Sequence, residues 1–247
     1  MTFIRHIKQY SVKEAINIAL KRVLDKYFIW LPDAVYLWLK FYLNMGYVLR
    51  LRWPRTFSEK LQWLKLHDRN PHYTDLVDKY AVKEYVSKTI GSEYVIPTLG
   101  AWNRPEEIEW NRLPNQFVLK TTHGGGSMGV VICKDKRCFD KKEAIKRLNI
   151  SLAQDLYKYC REFPYKNVPR RIIAEEYIQV DPVLNDLPDY KFFCFNGEVK
   201  ALFVGTERQK EGEDVKFDFF DADFNHLPFK QGHENATIPP PNPKTLS

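Results

Sequence analysis

The chain has 247 residues, 44% hydrophobic and 15% aromatic, enough to close a packed core and to exclude a disordered or low-complexity polypeptide. Its 38 basic and 31 acidic residues give a formal charge of +7, but the two signs are interspersed; the balance fits an anionic substrate and does not call for nucleic acid. Cys133, Cys138, Cys160 and Cys194 form no C-x-x-C pair and have no histidine at zinc-finger spacing, which excludes a zinc module and points to reduced thiols in the cytoplasm, with Cys194 expected in the core.

No secretory leader is expected, because Arg5, Lys8 and Lys13 are not followed by an uninterrupted apolar stretch. Residues 27–51 are rich in Trp, Tyr, Phe and Leu, yet Asp33, Lys40 and Arg50 interrupt them below spanning length. They are expected as helices buried in the core, or lying on a membrane surface or a partner. Thr56 and Glu59 have the spacing of a capping box, after which Phe57, Leu61 and Leu64 fall on one helical face. A further helix is expected over residues 75–90, stopped by Gly91 in a left-handed cap. Lys79 and Lys83 lie one turn apart within it, a pattern that by itself reads as solvated.

Pro97, Gly100 and Pro105 mark a change from helices to strands, so a helical region is expected over 1–92 and a second region over 93–247. There an apolar strand at 117–120 ends in Lys120, Gly124, Gly125, Gly126 and Gly129 follow, and a second strand runs through Val130, Val131 and Ile132. Glycines permit positive φ and let bare N–H groups approach an anion, and Lys120 adds a point charge, so the expected guest is a nucleotide phosphate. A dinucleotide-binding glycine motif must open a helix, whereas a strand follows here. The same residues satisfy a kinase glycine loop, but kinases place their lysine after the loop and need H-R-D and D-F-G, neither of which occurs. A glycine-rich hairpin turn is the remaining alternative, although four glycines exceed its needs.

A helix is expected over 141–159, then a strand from Arg171 that meets Glu175 and Glu176. Two strands at 189–195 and 199–204 close around Asn196-Gly197, the strongest turn signal in the chain, and another strand over 215–220 leads to Asp221 and Asp223. The proline-rich stretch 239–243 is expected to be stiff and exposed.

In order, Lys79, Lys120, the glycine loop, Glu175 or Glu176 and the 189–204 hairpin resemble the ATP-grasp superfamily. The longer runs Thr56-Phe57-Ser58-Glu59-Lys60-Leu61-Gln62-Trp63, Asp78-Lys79-Tyr80-Ala81-Val82-Lys83-Glu84-Tyr85 and Asp189-Tyr190-Lys191-Phe192-Phe193-Cys194-Phe195-Asn196-Gly197 resemble its TupA-like family, associated with bacterial surface polysaccharides, over roughly residues 30–240. The resemblance implies an α+β fold: two α+β subdomains with mainly antiparallel sheets behind the helical N-terminal region, the glycine-loop subdomain at about 115–170 and the second from about 171. It also implies ATP and magnesium as cofactors. Lys79 and Lys120 would contact the phosphates under a lid of Gly124, Gly125, Gly126, Ser127 and Gly129, with Glu175 or Glu176 and the Ile178 backbone beside the adenosine. Asp189, Lys191 and Arg208 would line the acceptor side, or form a surface ion pair, and His123 would meet an acyl phosphate, or simply be packed.

The implied activity is an ATP-dependent carboxylate–amine ligation on a glycan uronic acid or similar carboxylate, at the inner face of the membrane or in the cytoplasm. The amine partner would be an amino acid or another amine. The family pattern ends in an Arg-, Asp- and Glu-bearing segment with no counterpart here, so a truncated product with an incomplete metal site is expected. A glycosyltransferase using Asp221-Ala222-Asp223 and a non-catalytic homologue are the rival readings.

Overall fold

The computed structural model describes residues 11–125, 129–180, 186–207 and 214–243. They belong to two compact units, Met1–Tyr177 and Ile178–Ser247.

The first unit opens with helices α1 (Val12–Tyr27) and α2 (Asp33–Met45). Ser11 and Glu14 cap α1 reciprocally, and Gly46, at φ 75°, takes the left-handed turn that ends α2. These helices are part of the same unit as the glycine loop: Tyr36 is fully buried, Lys40 Nζ donates to the Tyr159 carbonyl at 2.7 Å, and Arg161 donates to the Ile29 carbonyl at 2.5 Å. The capping box at Thr56 forms as expected and starts α3 (Phe57–His67), with the Glu59 carboxylate accepting from the Arg55 and Thr56 amides. Phe57, Leu61 and Leu64 nevertheless remain 40% or more exposed.

The helix expected over 75–90 is two helices, α4 (His72–Val77) and α5 (Ala81–Thr89), broken at Asp78, whose ψ of 112° is extended. Gly91 is not a left-handed cap; its φ of 121° and ψ of 151° carry the chain straight into a short 3-10 turn. Strands β1 (Thr98–Trp102), β2 (Phe117–Thr121), β3 (Val130–Cys133) and β4 (Ile172–Glu176) form an antiparallel sheet in the order β1-β4-β2-β3. The strand at 171–178, placed by sequence at the start of a second subdomain, is thus a central strand of the glycine-loop sheet, and the division between units falls after Tyr177.

Between β3 and β4 lie α6 (Lys141–Leu152) and α7 (Leu156–Cys160), where one helix was expected; the first ends at Ala153 and Asp155 caps the second. Alternation along β2 sends Phe117, Leu119 and Thr121 toward α6, into a core with Val131, Cys133, Leu148, Ile172 and Ala174. Burying each such Phe or Leu contributes roughly 1.5–3 kcal/mol. Val118, Lys120, Ile173 and Glu175 are left for the other face of the sheet. That inversion of one lysine and one glutamate away from the core prepares the site.

The second unit is an antiparallel sheet of β5 (Asp189–Phe195), β6 (Glu198–Thr206) and β7 (Lys216–Asp221) in that order. Asn196 and Gly197 both have positive φ, 51° and 80°, as a two-residue hairpin needs. One face holds Leu202, Val204 and Phe220, and Phe203 contacts Phe193, Phe217 and Phe219 at centroid distances of 5.1–6.0 Å. Cys194 is exposed, not core: a bulge between Phe193 and Cys194 interrupts the alternation, and Cys133 is the buried thiol. The proline-rich stretch is also less exposed than expected, since Pro240 is buried and the Tyr190 hydroxyl donates to the Pro241 carbonyl at 2.8 Å.

Candidate functional site

The end of β2 and the start of the glycine loop are fixed from below. Thr121 Oγ1 and Ser151 Oγ share a buried 2.7 Å hydrogen bond, and the Thr121 amide donates to the Gly129 carbonyl at 3.0 Å. A Cβ on Gly129 would sit 2.0 Å from Thr121 Oγ1 and 2.5 Å from Ser151 Oγ, and one on Gly124 would sit 2.8 Å from Thr121 Oγ1. Close approach, and not positive φ, therefore requires glycine at these two positions, since neither has positive φ. Gly125 meets only Leu156 at an ordinary 3.5 Å. Gly126 and Ser127 lie outside the described residues. Gly129→Ala is expected to cost about 1–3 kcal/mol in urea unfolding, while Gly125→Ala stays within about 0.5 kcal/mol of the parent.

The break between α4 and α5 meets this loop. Asp78 is 2% exposed; its carboxylate accepts from the Tyr80 amide at 2.9 Å and from Arg171 at 2.7 Å. Arg171 in turn lies over the Tyr80 ring at 4.6 Å. The Lys79 amide donates to the Thr122 carbonyl at 3.2 Å, and Thr122 is tied to Arg171 through both its amide and its hydroxyl. This turn carries the Lys79 ammonium to the Gly124 carbonyl, to which it donates. A continuous helix would have left Lys79 on an ordinary helical surface.

On the face of the sheet turned from α6, Lys120 and Glu175 are diagonal neighbours, because Lys120 pairs with Ile173 and Glu175 with Val118. Glu175 is buried and bridges two ammonium groups: one oxygen accepts from Lys120, the other from Lys83 at 2.7 Å. Lys83 also donates to the Ile96 carbonyl at 2.6 Å. Burial alone would raise the Glu175 pKa, but hydrogen bonds and charge from Lys120 and Lys83 outweigh it and hold it below its ordinary value. Burial, aided by the charge on Lys120, pushes the Lys79 pKa down. Three ammonium groups thus face one carboxylate beside a glycine-lined turn, an arrangement suited to a polyanion.

The other expected residues are placed differently. His123 is 4% exposed, and burial together with the Arg170 charge outweighs the nearby Gln154 and Ser151 backbone groups and favours its neutral form. Glu176 is exposed, so of the two carboxylates Glu175 is the one joined to the lysines. Ile178 is exposed and is the first residue of the second unit. Asp189 and Lys191 pair with each other on β5, and Arg208 lies outside the described residues. Asp221 accepts from the Asp223 and Asn225 amides and from the Asn225 side chain, which makes it the cap of its own turn. Asp78, Lys83, Thr121, Ser151 and Arg171 were not singled out by sequence. For Lys83, the i, i+4 spacing from Lys79 was the available signal.

The sequence pattern of the TupA-like ATPgrasp family matches residues 59–239. The chain belongs to the TupA-like ATP-grasp family. The matched span includes Lys79, Lys83, Lys120, the glycine loop and Glu175. Among curated proteins, none matches the chain. One solved structure to which the chain is similar is a D-alanine–D-alanine ligase from Helicobacter pylori, at 20% identity and a TM-score of 0.26, over 69% of this chain. The match spans 41% of that ligase's length.

The lysine cluster fits the triphosphate that an ATP-grasp member takes: a half-buried Lys79 ammonium at the Gly124 turn, Lys120 from strand β2 and Lys83 from helix α5. Magnesium is different. Among the described residues no three His, Cys, Asp or Glu side chains are grouped to hold a metal ion.

Proposed function

We propose that the chain acts as an ATP-dependent carboxylate–amine ligase in bacterial surface polysaccharide synthesis, joining a uronic acid or similar carboxylate of a glycan or its precursor to an amino acid or other amine. The assembly of Lys79, Lys83, Lys120 and Glu175 beside the Gly124 turn carries this reading. ATP, when bound, supplies the phosphoryl group that activates the carboxylate as an acyl phosphate for attack by the amine.

In this reading Lys79 and Lys120 neutralise phosphate charge, and Lys120 leaves Glu175 to do so. Lys83 stays with Glu175, keeping the carboxylate turned from the phosphates and free to accept from the nucleoside. The chain contributes positioning and charge compensation, with no protein nucleophile. Asp189 and Lys191 are the proposed acceptor contacts.

The glycosyltransferase reading is weaker, because the Asp221 carboxylate of its D-x-D motif is already engaged by Asn225. ADP release measured with each substrate class alone and with both together separates the readings. Release that needs both a carboxylate and an amine is expected. Turnover of a sugar nucleotide with no ADP formed would overturn the ligase, and inertness toward every pair would leave the non-catalytic homologue.

A further inference from the structure

Helix α1 presents an apolar stripe that stays exposed beside the other described residues of its unit. At about 100° per residue, Val12, Ile16, Leu20, Val23 and Tyr27 fall on one side of the helix. All five are exposed, at 79, 53, 47, 44 and 59%, while Leu24, on another side, is the residue packed inward. Phe28 and Trp30, 41 and 72% exposed, extend the apolar surface past the helix end. The Trp30 indole N–H donates to the Tyr27 carbonyl at 3.0 Å, so its ring can leave water without stranding a donor.

Charge is sorted around the same stripe. By the helical rotation Lys13 lies along one edge, and Arg22 and Lys26 along the other. Both acids of the helix lie on the opposite side and are engaged: Glu14 caps Ser11, and Asp25 accepts from the Tyr36 hydroxyl and from Lys40 at 2.8 Å. An apolar strip edged by cations, with its acids turned away and a tryptophan at its end, complements a surface that is apolar below and anionic above. No helix among the described residues is long and apolar enough to cross a membrane.

We propose that α1 docks the protein peripherally on an anionic lipid surface. The inference is independent of the ligase reading, because none of these residues belongs to the lysine cluster. Flotation of the full chain is measured with vesicles of phosphatidylcholine alone and of phosphatidylcholine mixed with phosphatidylglycerol. The chain is expected to float with the mixed vesicles only, and less so as salt rises.

Lys13→Gln with Lys26→Gln should weaken that partition about fivefold for each charge removed. Ile16→Glu with Leu20→Glu should abolish it with the heat-unfolding midpoint unchanged; the Lys→Gln pair, which alters no apolar residue, keeps the test independent of folding. Three results would overturn the proposal: no flotation of the parent with mixed vesicles, equal flotation of either pair, or sedimentation showing that the stripe instead joins two copies.

Discussion

Replacing Glu175 by glutamine is expected to destabilise the nucleotide-free chain by about 3 kcal/mol, the usual cost of removing one member of a buried charged cluster. The side chain is 5% exposed and holds Lys83 and Lys120, whose own side chains are 15 and 26% exposed. Glutamine keeps the shape but leaves the Lys83 and Lys120 ammonium groups without their shared counter-charge. The pH dependence has a definite sign. The Glu175 pKa lies below its ordinary 4.5, so its stabilisation is complete above that value and is lost as pH falls through the folded pKa. Urea unfolding at a series of pH values should show the parent losing part of its advantage over Glu175→Gln as the solution is acidified below pH 4.5. A variant as stable as the parent at neutral pH would show that the carboxylate is not the counter-ion of the lysines.

Asp78→Ala is expected to cost about 2–3 kcal/mol, somewhat less than a fully buried pair because Arg171 is 26% exposed. It should also weaken ATP binding, although Asp78 donates nothing to a phosphate. Asp78 sets the turn that separates α4 from α5, and that turn directs Lys79 to Gly124. Asp78→Asn, which can still accept from the Tyr80 amide but carries no charge for Arg171, should lose about half as much stability and retain more affinity. Loss of stability with ATP affinity unchanged would separate the turn from the site.

Local signals explain what could be read in advance. The Asn196-Gly197 turn and the Thr56–Glu59 capping box each need only a few adjacent residues, and both form as their sequences dictate. The strands around the glycine loop were equally legible, because their apolar runs are bounded by strong breakers. The break at Asp78 was not. Residues 75–90 have helical composition, and what overrides it is an arginine 93 residues away in sequence.

The same non-locality hid the role of Lys83, whose partner Glu175 arrives on a strand formed much later in the chain. It also changed the meaning of the glycines: Gly124 and Gly129 are demanded by the Thr121–Ser151 contact beneath them, which no loop pattern encodes. Cys194 looked interior from its aromatic neighbours, but a three-stranded sheet with a bulge leaves it outside.

The central claim is that the lysines around Gly124 grip a triphosphate, and ATP-dependent protection against heat unfolding tests it most directly. ATP at a hundred times its dissociation constant should stabilise the parent by about 2.7 kcal/mol. Lys120→Ala, which removes one charge-assisted contact, should bind about tenfold to a hundredfold more weakly and keep only about 0.4–1.4 kcal/mol of that protection at the same ATP concentration. Equal protection of parent and Lys120→Ala, or none for the parent at any ATP concentration, would contradict it.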